Sequence, residues 1–303
     1  MNANNELDKA LQVLESSGDF KILRRLDIDK DPRLSGSRVP ERAKIGLCLD
    51  TETTGFRFPD DKIIEVGLVA FEYDMVSCEI TRVIDRYSAF EDPETPLTPE
   101  VIKVTGITDE MLKGKRFDDD MVNALVKRAD LVIAHNAAFD RPFIERRFPA
   151  FESLPWACSL SQIDWAGEFI TSRPLEYLLF KCGGYFIDAH RALNDAEGLL
   201  GLLVEDLPDS GVPVFKTLLA AARQTTSRIQ AVGAPFESKD TLKQRNYRWN
   251  DGTNGKPKCW WKDLPTEQES EELAFLGEFV YGGNTSSVVI SRINAYSRFS
   301  GRE

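Results

Sequence analysis

The most informative segment of the sequence is Gly46-Leu47-Cys48-Leu49-Asp50-Thr51-Glu52-Thr53-Thr54-Gly55. Its apolar first half has strand character, and it leads into two carboxylates one residue apart and then a glycine turn. Because side chains alternate between the faces of a strand, Asp50 and Glu52 should point the same way. Two like charges so close are costly unless a cation or proton lies between them. The segment suggests a site of oxygen ligands for Mg²⁺ or Mn²⁺, although alone it also fits two exposed acids on an edge strand.

Length and composition indicate a globular protein with one large domain or two unequal ones. Of the 303 residues, 42% are hydrophobic and 29% are charged, as is usual for such proteins. No apolar run approaches the roughly 18–20 residues that span a bilayer, and the N-terminus lacks the order of a signal peptide. Five scattered cysteines without C-x-x-C spacing favour reduced thiols. We therefore expect a cytoplasmic protein with no membrane partner.

The charge balance limits how the protein can hold a nucleic acid. A net charge of −11 argues against binding through a broad basic surface. A metal site can nevertheless hold a phosphate locally, because bound ions dominate the nearby field.

Apolar periodicity divides the chain into three parts. Residues 1–41 are predicted to form an N-terminal helical arm, with amphipathic character over 6–26, and a linker rich in proline and glycine. Residues 42–207 begin with strands and continue with alternating helices and strands, which predicts an α/β domain with a mixed central sheet flanked by helices. Residues 213–303 are predicted to form a small α+β module.

Further polar residues follow apolar segments of the central part. Asp140 comes after the short buried strand 131–134, and His190 precedes Asp195 by five residues at the start of a periodic apolar helix. Singly, each has an ordinary explanation: Asp140 could cap its helix, Asp195 could complement a helix dipole, and His190 could lie on the surface.

In chain order, these motifs resemble the DEDDh (DnaQ-like) 3′→5′ exonucleases, the family of the epsilon proofreading subunit of bacterial DNA polymerase III. The resemblance covers roughly residues 42–205 and rests on several segments together, which is far more specific than one motif. These segments are Leu49–Gly55, Ile64–Gly67, Gly106–Thr108, Ala134–Asp140 and His190–Ala196. A histidine five residues before the last aspartate fits the DEDDh branch. The resemblance implies a ribonuclease H-like fold.

The resemblance also implies roles for five residues. Asp50 would bridge two divalent cations, Mg²⁺ or Mn²⁺, with Glu52 and Asp195 completing one site and Asp140 the other. His190 would accept the proton of the attacking water, a role that suits a group titrating near neutrality. Two such ions neutralise the phosphate and assist the leaving 3′ oxygen.

Contacts to the substrate are predicted around the same motifs. The family's backbone meets the terminal sugar at positions corresponding to Thr53, Thr54 and Gly55, and glycine permits a close approach. Thr51 is also a candidate for substrate contact. Phe56 and Phe139 could stack on a base or belong to the core, and Asn136 is a further contact candidate. The family often has histidine before the Gly-Ile-Thr triplet, whereas this chain has Thr105, which leaves these contacts open.

The tail combines positive charge with aromatic rings. A helix is predicted over 214–230 and another over 267–281, with partial disorder in the last twenty residues. Between them, residues 239–263 carry seven Lys or Arg against three Asp, interleaved with aromatic residues that include Trp249 and Trp260. Such a pattern suits a platform for single strands, but a small β-hairpin domain with a tryptophan core fits equally well.

The sequence thus predicts a metal-dependent enzyme that releases nucleoside monophosphates from the 3′ end of DNA, most readily single-stranded. Two alternatives are an exoribonuclease that trims RNA 3′ ends and a catalytically silent nucleic-acid-binding scaffold. The expected partners are single-stranded DNA or RNA 3′ ends, and a polymerase or repair partner cannot be identified from the residues.

Overall fold

The structure is a computed structural model that describes residues 3–253 and 255–302. The chain forms two compact units. Unit 1 comprises the described residues up to Ala221 together with Phe299–Gly301, and unit 2 comprises Ala222–Arg298 and Arg302. Among the helices of the described residues, none has both the length and the apolar character that a membrane crossing requires.

The elements of unit 1 follow one another as α1 (Ala3–Ser17), β1 (Arg24–Arg25), β2 (Ala43–Thr53), β3 (Ile63–Asp74), β4 (Ile80–Phe90), α2 (Pro99–Thr105), α3 (Asp109–Leu112), α4 (Asp119–Arg128), β5 (Leu131–Ala134), α5 (Ala137–Arg147), β6 (Trp156–Cys158), α6 (Leu175–Gly183), β7 (Tyr185–Phe186), α7 (Ala192–Leu203) and most of α8 (Val214–Arg223). Those of unit 2 are β8 (Thr226–Val232), α9 (Lys239–Gln244), β9 (Arg248–Asn250), β10 (Cys259–Pro265), α10 (Glu269–Phe279) and β11 (Val288–Ile293).

A five-stranded sheet forms the centre of unit 1, in the order β4-β3-β2-β5-β6. Within this sheet, β3 pairs antiparallel with both β2 and β4, whereas β5 pairs parallel with β2 and β6 pairs parallel with β5. Strand β3 is buried along most of its length, as its nearly continuous apolar sequence requires. The predicted mixed central sheet flanked by helices is confirmed.

The two faces of β2 pack against different helices. Leu47 and Leu49 belong to the core cluster that includes residues of α4 and α5. Because side chains alternate, Asp50 and Glu52 point to the opposite face, where α7 contacts β2 and β3. Gly67, paired with Asp50, lets this helix approach, since a Cβ there would lie 2.2 Å from the Ala192 backbone. The end of β2 therefore lies between α5 and α7.

Two of the predicted helices, over 6–26 and 214–230, are longer than the helices in the structure. The arm is helical over α1 but not over 20–26, where β1 pairs in parallel with β7 after a left-handed turn at Gly18. The helix predicted over 214–230 ends at Arg223, and β8 follows with burial that alternates every second residue, the period of a strand. Near the C-terminus, strand β11 occupies Val288–Ile293, so the predicted partial disorder of the last twenty residues does not apply to this segment.

Unit 2 is an antiparallel sheet in the order β11-β8-β10-β9. Its own core is made of residues from the sheet, α9, α10 and the segments that follow these helices: Ile229, Ala231, Leu242, Tyr247, Leu264, Leu276 and Val280. This unit contains both strands and helices, as predicted for the module. The functional domains predicted for residues 1–41, 42–207 and 213–303 stay a prediction.

Candidate active site

Three carboxylates converge at the end of the central strand. Asp50 and Glu52 project from β2, and Asp195 from the first turn of α7 reaches the same place. Each offers one oxygen, and these oxygens lie within 4.8 Å of one another. All three side chains are half-buried, and within residues 3–253 and 255–302 this is the one group of three with the spacing for a metal ion. Oxygen donors of this kind fit a hard divalent cation.

Asp140 is placed beside this group from the other side of the sheet. It is 2% exposed in the first turn of α5, and its Oδ1 accepts hydrogen bonds from the Thr51 backbone N at 3.1 Å and from Thr51 Oγ1 at 2.8 Å. Since Thr51 separates Asp50 from Glu52, these bonds join α5 to the middle of the acidic segment. The parallel pairing of β5 with β2, up to Ala134 opposite Leu49, brings the start of α5 to this position.

The pKa values of all four carboxyl groups are raised by burial and by the neighbouring acids. Burial, followed by repulsion from the neighbouring acids, raises the pKa of Asp50 well above its usual range and that of Glu52 to about 8. Burial raises the pKa of Asp140 to about 7 despite the bonds from Thr51. It raises the pKa of Asp195 to about 6, opposed by the backbone N–H groups of Arg191 and His190. A divalent cation would relieve this repulsion.

His190 immediately precedes Arg191, the N-cap residue of α7, and is exposed to solvent. Its backbone has a φ of 65°, in the left-handed region, and its backbone N–H is one of the groups that lower the pKa of the Asp195 carboxyl. The structure thus brings the predicted base next to one of the predicted ligands.

The other histidine, His135, has a structural position. Nδ1 lies 2.8 Å from Ser159 Oγ, and Nε2 lies 2.8 Å from the Arg173 carbonyl oxygen. Because a carbonyl only accepts, Nε2 carries the proton, and Nδ1 accepts from the Ser159 hydroxyl. Burial lowers the pKa of His135 to about 4, which keeps the ring neutral.

The threonines of the acidic segment are engaged within the fold. Thr51 and Thr53 are buried, and Thr53 Oγ1 donates to the Gly55 carbonyl oxygen at 2.5 Å. Thr54 Oγ1 donates to Asp61 Oδ1 at 3.0 Å. A Cβ on Gly55 would lie 2.6 Å from the Asp61 carboxylate, so a larger residue would displace this carboxylate from its hydrogen bonds with Thr54 Oγ1 and the Arg57 backbone N. Their predicted substrate contacts stay a prediction.

The other predicted contact residues line the same end of the sheet. Phe56 is 87% exposed, and its ring lies 5.9 Å from that of the half-buried Phe139, which lies 5.1 Å from Phe143. Asn136 is exposed, with a left-handed backbone before α5. Thr105 instead closes its own helix: Oγ1 donates to Val101 O at 2.9 Å and accepts from Ile107 N at 3.1 Å.

The predicted contacts of the tail lie in unit 2. Trp249 on β9 and Trp260 on β10 are cross-strand neighbours whose ring centroids are 5.4 Å apart. Trp260 packs on the core of the unit, whereas Trp249 is 52% exposed. One ring therefore supports the core, as the β-hairpin interpretation requires, and the other faces solvent. Binding of a single strand by these rings stays a prediction.

Sequence reasoning did not assign a role to Glu65 or Arg191. Glu65, 1% exposed on β3, pairs with Glu52 across the sheet and binds the Arg191 guanidinium. The available signal was that an acid interrupts an apolar strand and must find a cationic or hydrogen-bonding partner when buried.

Comparison with known proteins identifies unit 1. The exonuclease family profile matches residues 47–203. The DNA polymerase III subunit epsilon of Treponema pallidum is 30% identical over 157 residues, covering 49% of this chain and 70% of that protein. The PolC-type DNA polymerase III of Halalkalibacterium halodurans is 33% identical over 176 residues, covering 55% of this chain but only 12% of that polymerase.

Among solved structures, exonuclease I aligns at a TM-score of 0.44 and 18% identity, covering 63% of this chain and 49% of that one. The family profile spans more than half of the chain and includes Asp50, Glu52, Asp140, His190 and Asp195. On that match, the chain belongs to the exonuclease family.

Proposed function

We propose that the protein is a metal-dependent 3′→5′ exonuclease that releases nucleoside monophosphates from the 3′ end of single-stranded DNA. The observation that carries the proposal is the convergence of three carboxylates within 4.8 Å in a member of the exonuclease family, with Asp140 beside them.

In this proposal, Asp50, Glu52, Asp140 and Asp195 hold two divalent cations, Mg²⁺ or Mn²⁺. When bound, such ions neutralise charge on the phosphate and assist the departure of the 3′ oxygen. Thr51 orients Asp140 through two hydrogen bonds, and the backbone N of Arg191 orients Asp195 through one at 3.2 Å. The protein's own contribution is thus a set of carboxylates held in place before the substrate arrives.

His190 is proposed to accept the proton of the attacking water. Two observations support this role: the residue is exposed, so water and a strand end could reach the ring, and it lies close to the proposed ligand Asp195. His135 is excluded from this role because both of its ring nitrogens are used within the fold. The contacts to the substrate are proposed around the same site. Phe56, which is 87% exposed, would stack on a terminal base, and Phe139 and Asn136 would make further contacts. The backbone of Thr53, Thr54 and Gly55 would meet the terminal sugar.

The test is degradation of matched single-stranded DNA and RNA, both labelled at the 5′ end, with Mg²⁺ or Mn²⁺. We expect a ladder that shortens from the 3′ end of the DNA, and loss of the ladder with Asp50→Asn. Asp85→Asn removes an exposed carboxylate on β4, 3.7 Å from Arg128, and should retain full activity. Faster loss of RNA would identify an exoribonuclease. If neither the wild-type protein nor any variant degrades DNA or RNA, the proposed activity is refuted and the protein is a nucleic-acid-binding scaffold.

We further propose that unit 2 binds single strands through Trp249, supported by Trp260. The exposed ring and the excess of positive charge over 239–263 suit base stacking and phosphate contact. Binding of labelled oligo-dT, measured by anisotropy, should weaken about 5- to 150-fold for Trp249→Ala, from roughly 1–3 kcal/mol per stacked base. Phe279→Ala, an exposed ring on acidic α10, is the matched control. Equal affinities would refute this role.

The names of the relatives suggest a polymerase as a partner of the exonuclease unit. We propose a polymerase partner without naming it, because the matched segment covers only 12% of the length of the PolC-type polymerase. The cytoplasmic location stays a prediction.

A further inference from the structure

The first turn of α7 is tied to β3 by Glu65. This carboxylate accepts hydrogen bonds from Arg191 Nε at 3.2 and 3.3 Å, from Arg191 Nη2 at 3.0 Å and from the Ala192 backbone N at 3.2 Å. The first N–H groups of a helix have no partner within the helix. Arg191 occupies the N-cap position of α7, but its side chain makes no capping hydrogen bond within the described part of the chain. Glu65, on strand β3, caps the helix instead by accepting the hydrogen bond from the Ala192 backbone N.

Arg191 connects this cap to the site. Its backbone N donates to Asp195 Oδ2 at 3.2 Å, while its guanidinium lies over the Phe90 ring at 5.3 Å and against Glu65. One residue therefore links the proposed ligand Asp195, the buried carboxylate and the preceding His190. The left-handed backbone of His190 is an uncommon conformation for a residue with a side chain, and it persists only when its neighbours hold it.

The packing beneath this turn leaves no room for adjustment. A Cβ on Gly67 would approach the Ala192 carbonyl group to 2.2 Å, so the backbones of β3 and α7 are already in contact. Gly67 lies opposite Asp50 and Glu65 lies opposite Glu52 in the sheet. The same two residue pairs thus carry both the proposed ligands of β2 and the contacts that place α7.

We propose that Glu65, acting through Arg191, is a positioning residue that holds the first turn of α7 and thereby sets Asp195 and His190 against Asp50 and Glu52. The inference rests on the proposed function for its kinetic consequences, but its effect on metal binding can be measured without a substrate. It extends the site from the carboxylates that would hold ions to the buried Glu65 and the half-exposed Arg191 that orient them.

Two other roles of the pair predict different results. If Glu65 and Arg191 act only through their charges, removing the acid weakens cation binding and removing the base strengthens it. If they only stabilise the fold, both substitutions lower the melting temperature and leave the site unchanged. Positioning instead predicts that both substitutions change the site in the same direction.

The experiment compares Glu65→Gln, Arg191→Gln and the double variant by calorimetric titration with Mn²⁺, together with kcat and KM on single-stranded DNA. We expect each single variant to bind Mn²⁺ about 10-fold more weakly and to lose about 10-fold or more in kcat, at the lower end of effects seen when such outer contacts are removed. The double variant should be no worse than either single one, because both break the same link. KM should change little.

The matched control is Glu72→Gln. Glu72 also lies on β3 and binds Arg82 Nε at 3.1 Å and Nη2 at 2.9 Å, but it pairs with Ile45, roughly 24 Å along the strand from Glu65. This control should keep wild-type Mn²⁺ affinity and kcat. Arg191→Lys keeps the charge but loses the two-point contact, so it should fall between wild type and Arg191→Gln.

Opposite shifts of Mn²⁺ affinity in the two single variants would overturn the inference, as would affinities within twofold of wild type. A wild-type protein that fails to bind Mn²⁺ would overturn it together with the proposed function. A protein that binds Mn²⁺ but degrades no nucleic acid would refute the proposed function alone, because weaker binding by Glu65→Gln and Arg191→Gln would still support the positioning role.

Discussion

The two histidines of the chain have opposite environments. His190 is exposed beside Asp195, whereas His135 is held between Ser159 and the Arg173 carbonyl. Both fall in segments that resemble the exonuclease motifs, so spacing alone does not separate their roles. Burial and hydrogen bonding do, because a base must have a free nitrogen that water can reach.

We expect His190→Gln to lower kcat by about 10²–10⁴, the usual contribution of a general base. Its melting temperature should stay close to that of wild type, because the ring is exposed. Single-turnover digestion of labelled DNA and circular dichroism measure the two quantities. A kcat within threefold of wild type would contradict the assignment of His190 as base.

His135 should make the stability of the fold depend on pH. Its pKa is about 4 in the folded state and near 6.5 when unfolded, so the unfolded chain binds the extra proton between these values. Stability from this group is therefore complete above about pH 6.5 and is lost as the pH falls toward 4. Between pH 7 and pH 5 the loss should reach roughly 2 kcal/mol.

Urea unfolding of wild type and His135→Gln at both pH values isolates this contribution. The variant should be less stable at pH 7, because it loses the paired ring, and the difference from wild type should shrink at pH 5. A constant difference would show that His135 titrates alike in the folded and unfolded chains.

At the scale of elements, the site depends on where β2 ends. The strand carries its apolar residues into the core and continues far enough to hold Asp50 and Glu52 between α5 and α7. Acids at such a junction oppose folding in the absence of cations, since their pKa values are raised by burial and by one another. In the proposed function, stability is thus given up for a site suited to cations.

The metal-free protein should consequently lose stability as the pH rises from 6.5 to 8.5. A carboxyl group with a raised folded-state pKa contributes its stability below its unfolded value near 4, and this is lost as the pH passes the folded values of about 6 to 8. Asp50→Asn in EDTA should raise the melting temperature at pH 8.5, and Mn²⁺ should stabilise wild type more than this variant. A variant less stable than wild type in EDTA would refute the account.

At the scale of the whole molecule, charge is distributed unevenly between the units. Residues 1–221 contain 26 Lys or Arg against 39 Asp or Glu, whereas residues 222–298 contain 11 against 9. An acidic exonuclease unit repels a polyanion outside the immediate metal site. In the proposed function, unit 2 therefore supplies the attraction that unit 1 lacks.

A fragment of residues 1–221 should turn over a very short oligonucleotide with a kcat near that of the full chain. Its KM for long single strands should rise about 10-fold or more, and its affinity should depend less on salt, because stacking and phosphate contacts of unit 2 are lost. Trp249→Ala in the full chain tests the same loss without truncation, and steady-state kinetics at two salt concentrations provide the measurement. An unchanged KM in both would remove unit 2 from substrate binding.

The sequence by itself determined the parts of the protein that depend on local pattern. The central strands are long apolar runs, and the two-residue spacing of Asp50 and Glu52 places both on one face whatever the rest of the chain does. The apolar pattern predicted the wrong element at 224–230, where a helix ends and strand β8 begins. Over so few residues, the same apolar positions fit both the 3.6-residue period of a helix and the two-residue period of a strand.

Only the tertiary structure decided which distant groups meet. Asp195 reaches Asp50 because α7 packs on Gly67, and α7 is capped by Glu65, whose position in the chain lies 127 residues before the N–H that it binds. The burial that makes His135 structural and leaves His190 exposed is likewise a property of the packed fold. Hydrogen bonding and desolvation act through space, so no spacing along the chain encodes them.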